Sequence, residues 1–212
     1  MALLTSGIIY NSLPKQNLNR VYHEEFTSMK NLHEVDWSKL PSPEDDGAAD
    51  HLPGRKIASV NLSGSDGQRY DLSTLDGRTV IYAYPMTARP DTPLPEGWDM
   101  LPGARGCTPQ SCSFRDHAKE LRELGISNIF GLSTQTTDYQ REAVERLHLP
   151  FPLLSDVDLT FTKAMNLPTL SVDGMTLLKR LTLIVDKGQI THVFYPVFPP
   201  DQNVQQVIDW LS

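Results

Sequence analysis

The chain has 212 residues, 39% of them hydrophobic, which suits one domain with a sizeable core. Its formal net charge of −7 argues against nucleic acid as the main partner, because a phosphate backbone binds basic surfaces. No apolar run reaches the length that spans a bilayer, so we expect no membrane partner.

The expected compartment is a reducing one, most simply the cytoplasm. The first ten residues lack the basic region and the full apolar core of a signal peptide. The chain has two cysteines, Cys107 and Cys112. In a reducing compartment such a pair is expected to carry chemistry rather than to brace the fold.

The first 36 residues are polar and weakly periodic, and we interpret them as an N-terminal extension. Trp37 is a candidate to dock on the core. A segment rich in proline and acidic residues follows at 40–47. We predict that this segment, called the lead-in below, has no regular secondary structure. The remaining pattern shows neither an internal repeat nor a second boundary, so residues 37–212 are predicted to form one domain.

From residue 57 onward, strand and helix patterns alternate in the order ββ–β–α–β–α–β–α–β–β–α. The predicted strands are 57–62, 69–72, 79–84, 128–133, 151–154, 181–185 and 190–194, and the predicted helices are 107–123, 138–147, 159–165 and 204–211. This order predicts an α/β fold with a mixed central sheet and helices on both faces.

A long proline-rich loop, residues 86–106, separates the third predicted strand from the first predicted helix. Loops of this length without regular structure are usually functional or flexible. Trp98 is expected to fix the loop against the body of the domain.

Both cysteines lie at the start of the first predicted helix. Backbone N–H groups in the first turn lack intrahelical acceptors and stabilise an anion, and the thiolate is the reactive form of cysteine. We therefore interpret Cys107 as a nucleophile and Cys112 as its resolving partner. Arg105, two residues away, is one candidate for a cation that favours the thiolate.

The spacing of the cysteines predicts a conformational change. Residues five apart on an α-helix differ by about 140° in azimuth and about 7.5 Å in rise, which places their Cα atoms roughly 8 to 9 Å apart. A disulfide needs Cα atoms within about 7 Å. Cys107 and Cys112 therefore cannot form a disulfide until the first turn and a half of the helix unwinds. Pro109 has no backbone N–H, so this end of the helix has one hydrogen-bond donor fewer.

These segments resemble the active-site region of peroxiredoxins, in particular the Q or bacterioferritin-comigratory branch. The likeness covers about residues 55–195. It rests on Tyr84-Pro85, Gly106-Cys107-Thr108-Pro109-Gln110-Ser111-Cys112-Ser113-Phe114-Arg115-Asp116, Leu154-Ser155-Asp156 and the run from Arg180 to Gly188. The resemblance implies a thioredoxin-like fold and the reduction of peroxides by a cysteine thiolate.

The resemblance also implies roles for individual residues. Cys107 corresponds to the peroxidatic cysteine that becomes a sulfenic acid, and Cys112 to the resolving cysteine of the Q branch. Arg180 corresponds to the arginine that a later strand brings to the thiolate. Gln110 stands where that branch often has glutamate, and we assign it to substrate binding.

The loop departs from the family pattern. Met100 and Ala104 occupy the positions where the family has proline and threonine before the reactive cysteine. Pro85 is interpreted as the proline at the strand end. The hydroxyl that holds peroxide is assigned to Thr87, with Thr92 as the other candidate.

The two cysteines have two alternative interpretations: buried side chains without chemistry, or ligands of a metal site with His117. The metal site is disfavoured because zinc requires four converging ligands, or three and a water, and Cys107, Cys112 and His117 are spread around the helix. No nucleotide-binding glycine motif is present, and we predict neither a metal nor another cofactor. The absence of a Cys-x-x-Cys pair argues against a thioredoxin-type disulfide oxidoreductase.

The predicted function is that of a thiol peroxidase acting on hydrogen peroxide or alkyl hydroperoxides, with an internal Cys107–Cys112 disulfide. The expected partners are the peroxide and a thioredoxin-like or glutaredoxin-like reductant, and the expected state is a monomer or weak homodimer. A redox-sensing or binding module with little peroxidase activity, and a thiol reductase of another substrate, remain as alternatives.

Overall fold

Strand β3, Arg78–Ala83, lies inside a mixed sheet of seven strands. The structure, a computed structural model, describes residues 35–212. The predicted extension therefore lies almost entirely outside the described residues, and its boundary stays a prediction. Asp36–Ser212 form one compact unit.

The other strands of the sheet are β1 (Asn61–Gly64), β2 (Arg69–Asp71), β4 (Ile126–Ser133), β5 (Leu153–Ser155), β8 (Leu181–Asp186) and β9 (Gln189–Phe194). Their order across the sheet is β2-β1-β5-β4-β3-β8-β9. Strands β3, β4 and β5 are mutually parallel. On one side β8 pairs antiparallel with β3 and β9 with β8, and on the other β1 pairs antiparallel with β5 and β2 with β1.

Successive side chains of β3 enter two different cores, as the twofold period of a strand requires. Val80 and Tyr82 face one core, and Ile81 and Ala83 face the other. The helices of the domain are α1 (Cys107–Asp116), α2 (Ala118–Glu123), α3 (Thr137–Leu147), α4 (Thr160–Met165) and α5 (Asn203–Leu211). Side chains of α1, α2, α3 and α5 fill the first core, and those of α4 contribute to the second. The predicted arrangement of a mixed sheet between two helical layers is confirmed.

Two local predictions need correction. The helix expected over 107–123 is interrupted at His117, where φ is −102° and ψ is 8°, so that α1 and α2 are separate helices. The strand expected from residue 57 begins only at Asn61; the segment before it makes a single bridge, between Lys56 and Gln189.

A two-stranded hairpin, β6 (Thr169–Val172) and β7 (Met175–Leu178), was not predicted. Its turn is Asp173-Gly174, with both residues at positive φ, as a two-residue hairpin turn requires. The hairpin leads directly to Arg180 and β8. Among residues 35–212, no helix has the length and apolar composition to cross a membrane.

Candidate active site

Helix α1 begins at Cys107, immediately after a sharp turn at Gly106. Gly106 has φ of 101° and ψ of 14°, a left-handed conformation that glycine adopts without strain. The first helical hydrogen bond runs from the N–H of Gln110 to the carbonyl of Gly106 at 2.9 Å. Cys107 is therefore the first residue of the helix, where unpaired N–H groups and the helix dipole favour an anion.

The thiol of Cys107 is buried, with 3% of the residue exposed, and it contacts a guanidinium. Nη2 of Arg180 lies 3.1 Å from Sγ of Cys107, within hydrogen-bonding distance for sulfur. The carbonyl oxygen of Ala104 lies 3.5 Å from the same sulfur. A fixed cation and a helix start therefore meet at one sulfur atom, which is the environment that makes a cysteine nucleophilic.

Arg180 is itself buried, with 3% exposed, although it lies 73 residues from Cys107 in the chain. Its Nη2 also donates to the carbonyls of Gly103, Ala104 and Arg105 at 3.1 to 3.3 Å. The end of the proline-rich loop is thus wrapped around the guanidinium. Arg105, the other candidate cation, instead pairs with Asp99 at 3.1 Å and its side chain is 40% exposed.

The second nitrogen of the guanidinium, Nη1 of Arg180, donates to Oε1 of Gln110. Nε2 of Gln110 donates to Oδ1 of Asn203 at 3.0 Å, and the hydroxyl of Thr182 donates to the same oxygen at 2.6 Å. Gln110, Asn203 and Thr182 are all fully buried. Asn203 and Thr182 had no role in the sequence-based prediction, because nothing in their local pattern relates them to the cysteines.

Cys112 lies on the same helix but faces the core. It is buried among the aromatic and aliphatic side chains of the first core, and both cysteines are free thiols. Burial raises the pKa of the Cys112 thiol, and the neighbouring Arg115 guanidinium opposes part of that rise. Because α1 is continuous from Cys107 to Asp116, the structure places the two thiols in the arrangement that precedes any disulfide.

The ring of Trp37 covers the start of α1. A Cβ atom added to Gly106 would lie 2.7 Å from Cη2 of Trp37 and 2.5 Å from Cγ of Pro200. Nε1 of Trp37 donates to Oδ2 of Asp201 at 2.9 Å, and the ring meets Phe198 edge-on at a centroid distance of 5.9 Å. The docking expected for Trp37 therefore occurs, and it occurs on the turn before Cys107.

The residues assigned to peroxide binding have other partners in this structure. Thr87 is fully buried; its N–H and its hydroxyl both donate to Oε1 of Gln135 at 3.0 Å, and Nε2 of Gln135 donates back to the Thr87 carbonyl at 3.1 Å. Thr92 is exposed beside Asp91. Pro85 is buried just after β3, where the strand pattern placed it. Their roles toward peroxide stay predictions.

A cavity of about 430 Å³ adjoins the site. Arg180 and Gly103 form part of its wall, and apolar side chains from the lead-in, the loop, the hairpin and the segment after β9 form much of the rest: Pro43, Leu101, Leu170 and Pro196. Its volume falls in the range of small-molecule pockets. Trp98, which is 4% exposed, packs with Ala104 of the loop and with Val172 and Leu177 of the hairpin, so it fixes the loop against the domain as the sequence predicted.

Among the described residues, no three His, Cys, Asp or Glu side chains converge in a way that could hold a metal ion. Nδ1–H of His117 donates to the carbonyl oxygen of Ser113 at 2.9 Å. The groups that meet at Sγ of Cys107 are the Arg180 guanidinium and the start of α1.

A buried thiol lies at a helix start, in contact with an arginine that leads into the mixed sheet. The Redoxin family model matches residues 52–208, and the chain belongs to the Redoxin family. The predicted resemblance to the Q branch of the peroxiredoxins is confirmed by the relatives.

Peroxiredoxin Bcp of Escherichia coli is 29% identical over 157 residues, which cover 72% of this chain and 90% of that protein. The chloroplastic peroxiredoxin Q of japonica rice is 28% identical over 161 residues, covering 75% of this chain. The chain spans 66% of the length of that rice protein.

Among solved structures, the peroxidoxin BcpB of Mycobacterium tuberculosis matches with a TM-score of 0.61 and 26% identity, covering 76% of this chain and 96% of that one. The thioredoxin-like fold is confirmed by this match. Trp37 and the lead-in at 40–47 precede the residues that the family model matches.

Proposed function

We propose that this protein is a thiol peroxidase in which Cys107 reduces hydrogen peroxide or alkyl hydroperoxides. The observation that carries the proposal is the contact of 3.1 Å between Nη2 of Arg180 and Sγ of Cys107 at the first residue of α1. Arginine keeps its charge at all relevant pH values, so it favours the thiolate throughout.

In the first step, the thiolate of Cys107 attacks the terminal oxygen of the peroxide. A sulfur–oxygen bond forms, the oxygen–oxygen bond breaks, and the departing alkoxide or hydroxide takes up a proton to leave as alcohol or water. Sulfur is oxidised to a sulfenic acid and the peroxide is reduced. Nε of Arg180 is buried and has no acceptor among the described residues, so a peroxide oxygen would satisfy it as charge develops there.

In the second step, the sulfenic acid condenses with the thiol of Cys112 to form a disulfide and water. The continuous α1 supports the expectation that its first turn and a half must unwind before the two sulfurs meet. No side chain at Gly106 caps this end of the helix, so its first N–H groups lack a capping hydrogen bond. A thioredoxin-like or glutaredoxin-like protein would then reduce the disulfide.

The cavity beside Arg180 favours organic hydroperoxides, whose carbon chain its apolar wall would accommodate. Replacing Leu101 with Phe narrows the cavity and should lower kcat/KM for a bulky organic hydroperoxide more than for hydrogen peroxide. Met100→Phe, at a neighbouring side chain that is 72% exposed, serves as the control. If Leu101→Phe lowers kcat/KM equally for both peroxides, the cavity does not bind the carbon chain of the organic hydroperoxide.

A redox-sensing module is the second candidate, and the cover of Trp37 over the helix start favours it. If the Trp37 ring keeps the helix folded, the Cys107 sulfenic acid would persist or be recognised by a partner protein. It would then not react with Cys112. We place either activity in a reducing compartment, most simply the cytoplasm, because the mechanism requires both thiols to be restored. A monomer or weak homodimer is sufficient, since both cysteines lie in one chain.

The proposal is tested by mixing the reduced protein with one equivalent of peroxide and counting free thiols. Loss of both thiols within seconds is the expected result for the peroxidase. Loss of one thiol, with a persistent sulfenic acid, indicates the sensing module. Retention of both thiols over minutes would remove both candidates.

A further inference from the structure

The buried charge at this site is not balanced by a carboxylate. Arg180 is 3% exposed, yet its acceptors are the amide oxygen of Gln110, three backbone carbonyls and the sulfur of Cys107. Among residues 35–212, no acidic side chain forms an ion pair with it. A buried cation without a counter-ion is costly, and nearby dipoles compensate only part of that cost.

Among residues 35–212, the thiol of Cys107 is the one hydrogen-bonding partner of Arg180 that can become an anion. Gln110 cannot ionise, and backbone carbonyls cannot. Deprotonation of Cys107 therefore converts an unbalanced buried cation into a balanced pair. The pairing with Arg180 stabilises the Cys107 thiolate. That stabilisation would be smaller if a carboxylate were already paired with Arg180.

The orientation of the Gln110 amide is fixed by a chain of buried polar groups. The hydroxyl of Thr182 and Nε2 of Gln110 both donate to Oδ1 of Asn203, at 2.6 Å and 3.0 Å. With its nitrogen held in this way, Gln110 must turn its oxygen toward Arg180. The guanidinium is thereby oriented by a neutral acceptor at Nη1, whereas Cys107 contacts Nη2.

We propose that Gln110, held by Asn203 and Thr182, is a positioning residue that gives Arg180 a neutral partner in place of a competing anion and so leaves the Cys107 thiolate as its counter-ion among residues 35–212. The inference rests on the proposed function, because a thiolate matters here only if Cys107 is the nucleophile. It also reassigns Gln110 from a direct contact of the substrate to a residue that acts through Arg180.

The test is the pH dependence of Cys107 ionisation, measured without peroxide. In a Cys112→Ser background, the rate of alkylation by iodoacetamide and the thiolate absorbance at 240 nm are followed from pH 5 to pH 9. Gln110→Glu places a carboxylate of nearly the same shape against Arg180. We expect it to lower the alkylation rate at pH 6.5 by about tenfold, because the carboxylate would pair with Arg180 in place of the thiolate.

Two further variants test whether the effect of an added negative charge depends on its position relative to Arg180. Asn203→Asp keeps the oxygen that accepts from Gln110 and Thr182 but adds a more distant charge, so it should shift the profile in the same direction and by less. Gln202→Glu adds the same charge at the exposed residue next to Asn203 and should leave the profile unchanged. Circular dichroism establishes that each variant is folded.

The proposal is overturned if the Gln110→Glu and parent profiles coincide, or if Gln202→Glu shifts the profile as far. If Gln110→Glu does not fold, the parent and Asn203→Asp profiles still decide the matter: a parent profile like that of free cysteine, or no shift in Asn203→Asp, overturns it. Because no peroxide is used, these results are separate from those that test the peroxidase.

Discussion

The indole ring of Trp37 and the Cα atom of Gly106 are so close that a methyl group at residue 106 would lie 2.7 Å from the ring. Gly106 is the residue before the proposed nucleophile, and α1 must unwind from this point for the two sulfurs to meet. The same ring is held by Asp201 through Nε1 and packs edge-on against Phe198. Trp37 therefore packs on the part of α1 that the proposed disulfide step would open.

Replacing Trp37 with Ala should accelerate disulfide formation. A half-buried aromatic ring contributes on the order of 1 kcal/mol to packing, so its loss should make opening, and the second step, roughly fivefold faster. Stopped-flow mixing of the reduced protein with peroxide, followed by rapid acid quench and thiol counting, measures this step. Trp210→Ala, which removes a 40% exposed tryptophan stacked on His192, is the matched control and should leave the rate unchanged.

An alanine at Gly106 should destabilise the protein for two separable reasons. Its φ of 101° strains any residue with a Cβ atom, and that atom would collide with Trp37 and Pro200. Gly54→Ala imposes positive φ alone, because Gly54 has φ of 78° and no atom within 4 Å of an added Cβ. We expect urea denaturation to show a loss of about 1 kcal/mol for Gly54→Ala and at least about twice that for Gly106→Ala. Equal losses would mean that the turn before Cys107 is not tightly covered.

The two arginines near the thiol should differ sharply in effect. Arg180→Met removes the buried cation that contacts Sγ of Cys107, and we expect oxidation of Cys107 by peroxide to slow by about 100-fold. Arg105→Met removes a partly exposed side chain paired with Asp99, and such surface pairs contribute little, so the rate should change by less than about twofold. Comparable losses in both variants would contradict the assignment of Arg180.

The second step should accelerate as pH rises. Burial raises the pKa of the Cys112 thiol, so the folded helix favours the protonated thiol. When the helix unwinds, the thiol loses its proton more readily. The stability that the protonated thiol gives to the closed helix is present below the usual thiol pKa and is lost as pH rises through the raised value. We therefore expect disulfide formation to become faster from pH 7 to pH 9, measured by the same quench experiment. A rate that falls over this interval would show that Cys112 does not attack as a thiolate.

The elements that the sequence predicted best are those whose pattern is local. The apolar run of β3 and the paired cysteines at a helix start follow from neighbouring residues alone, and both are present in the structure. The break at His117 was missed because the apolar period of 107–123 continues across it. The hairpin of β6 and β7 was missed although Asp173-Gly174 is a strong turn signal, because its strands are short and half exposed.

The part of the site that the sequence could not reveal is long-range. Gln110 and Asn203 are 93 residues apart, and Trp37 and Asp201 are 164 apart. No periodicity or spacing connects such pairs; they meet because α5 and the turn before it pack on α1. Arg180 was assigned only through the resemblance to a family, and its contact with Cys107 depends on the sheet that carries β8.

The most direct measurement is the second-order rate constant for oxidation of Cys107 by peroxide, determined by stopped flow in the Cys112→Ser variant at pH 7 and compared with free cysteine. A thiolate held by Arg180 at the start of α1 should react on the order of 10³-fold faster than free cysteine or more. A rate constant no larger than that of free cysteine would contradict peroxidase activity at this site.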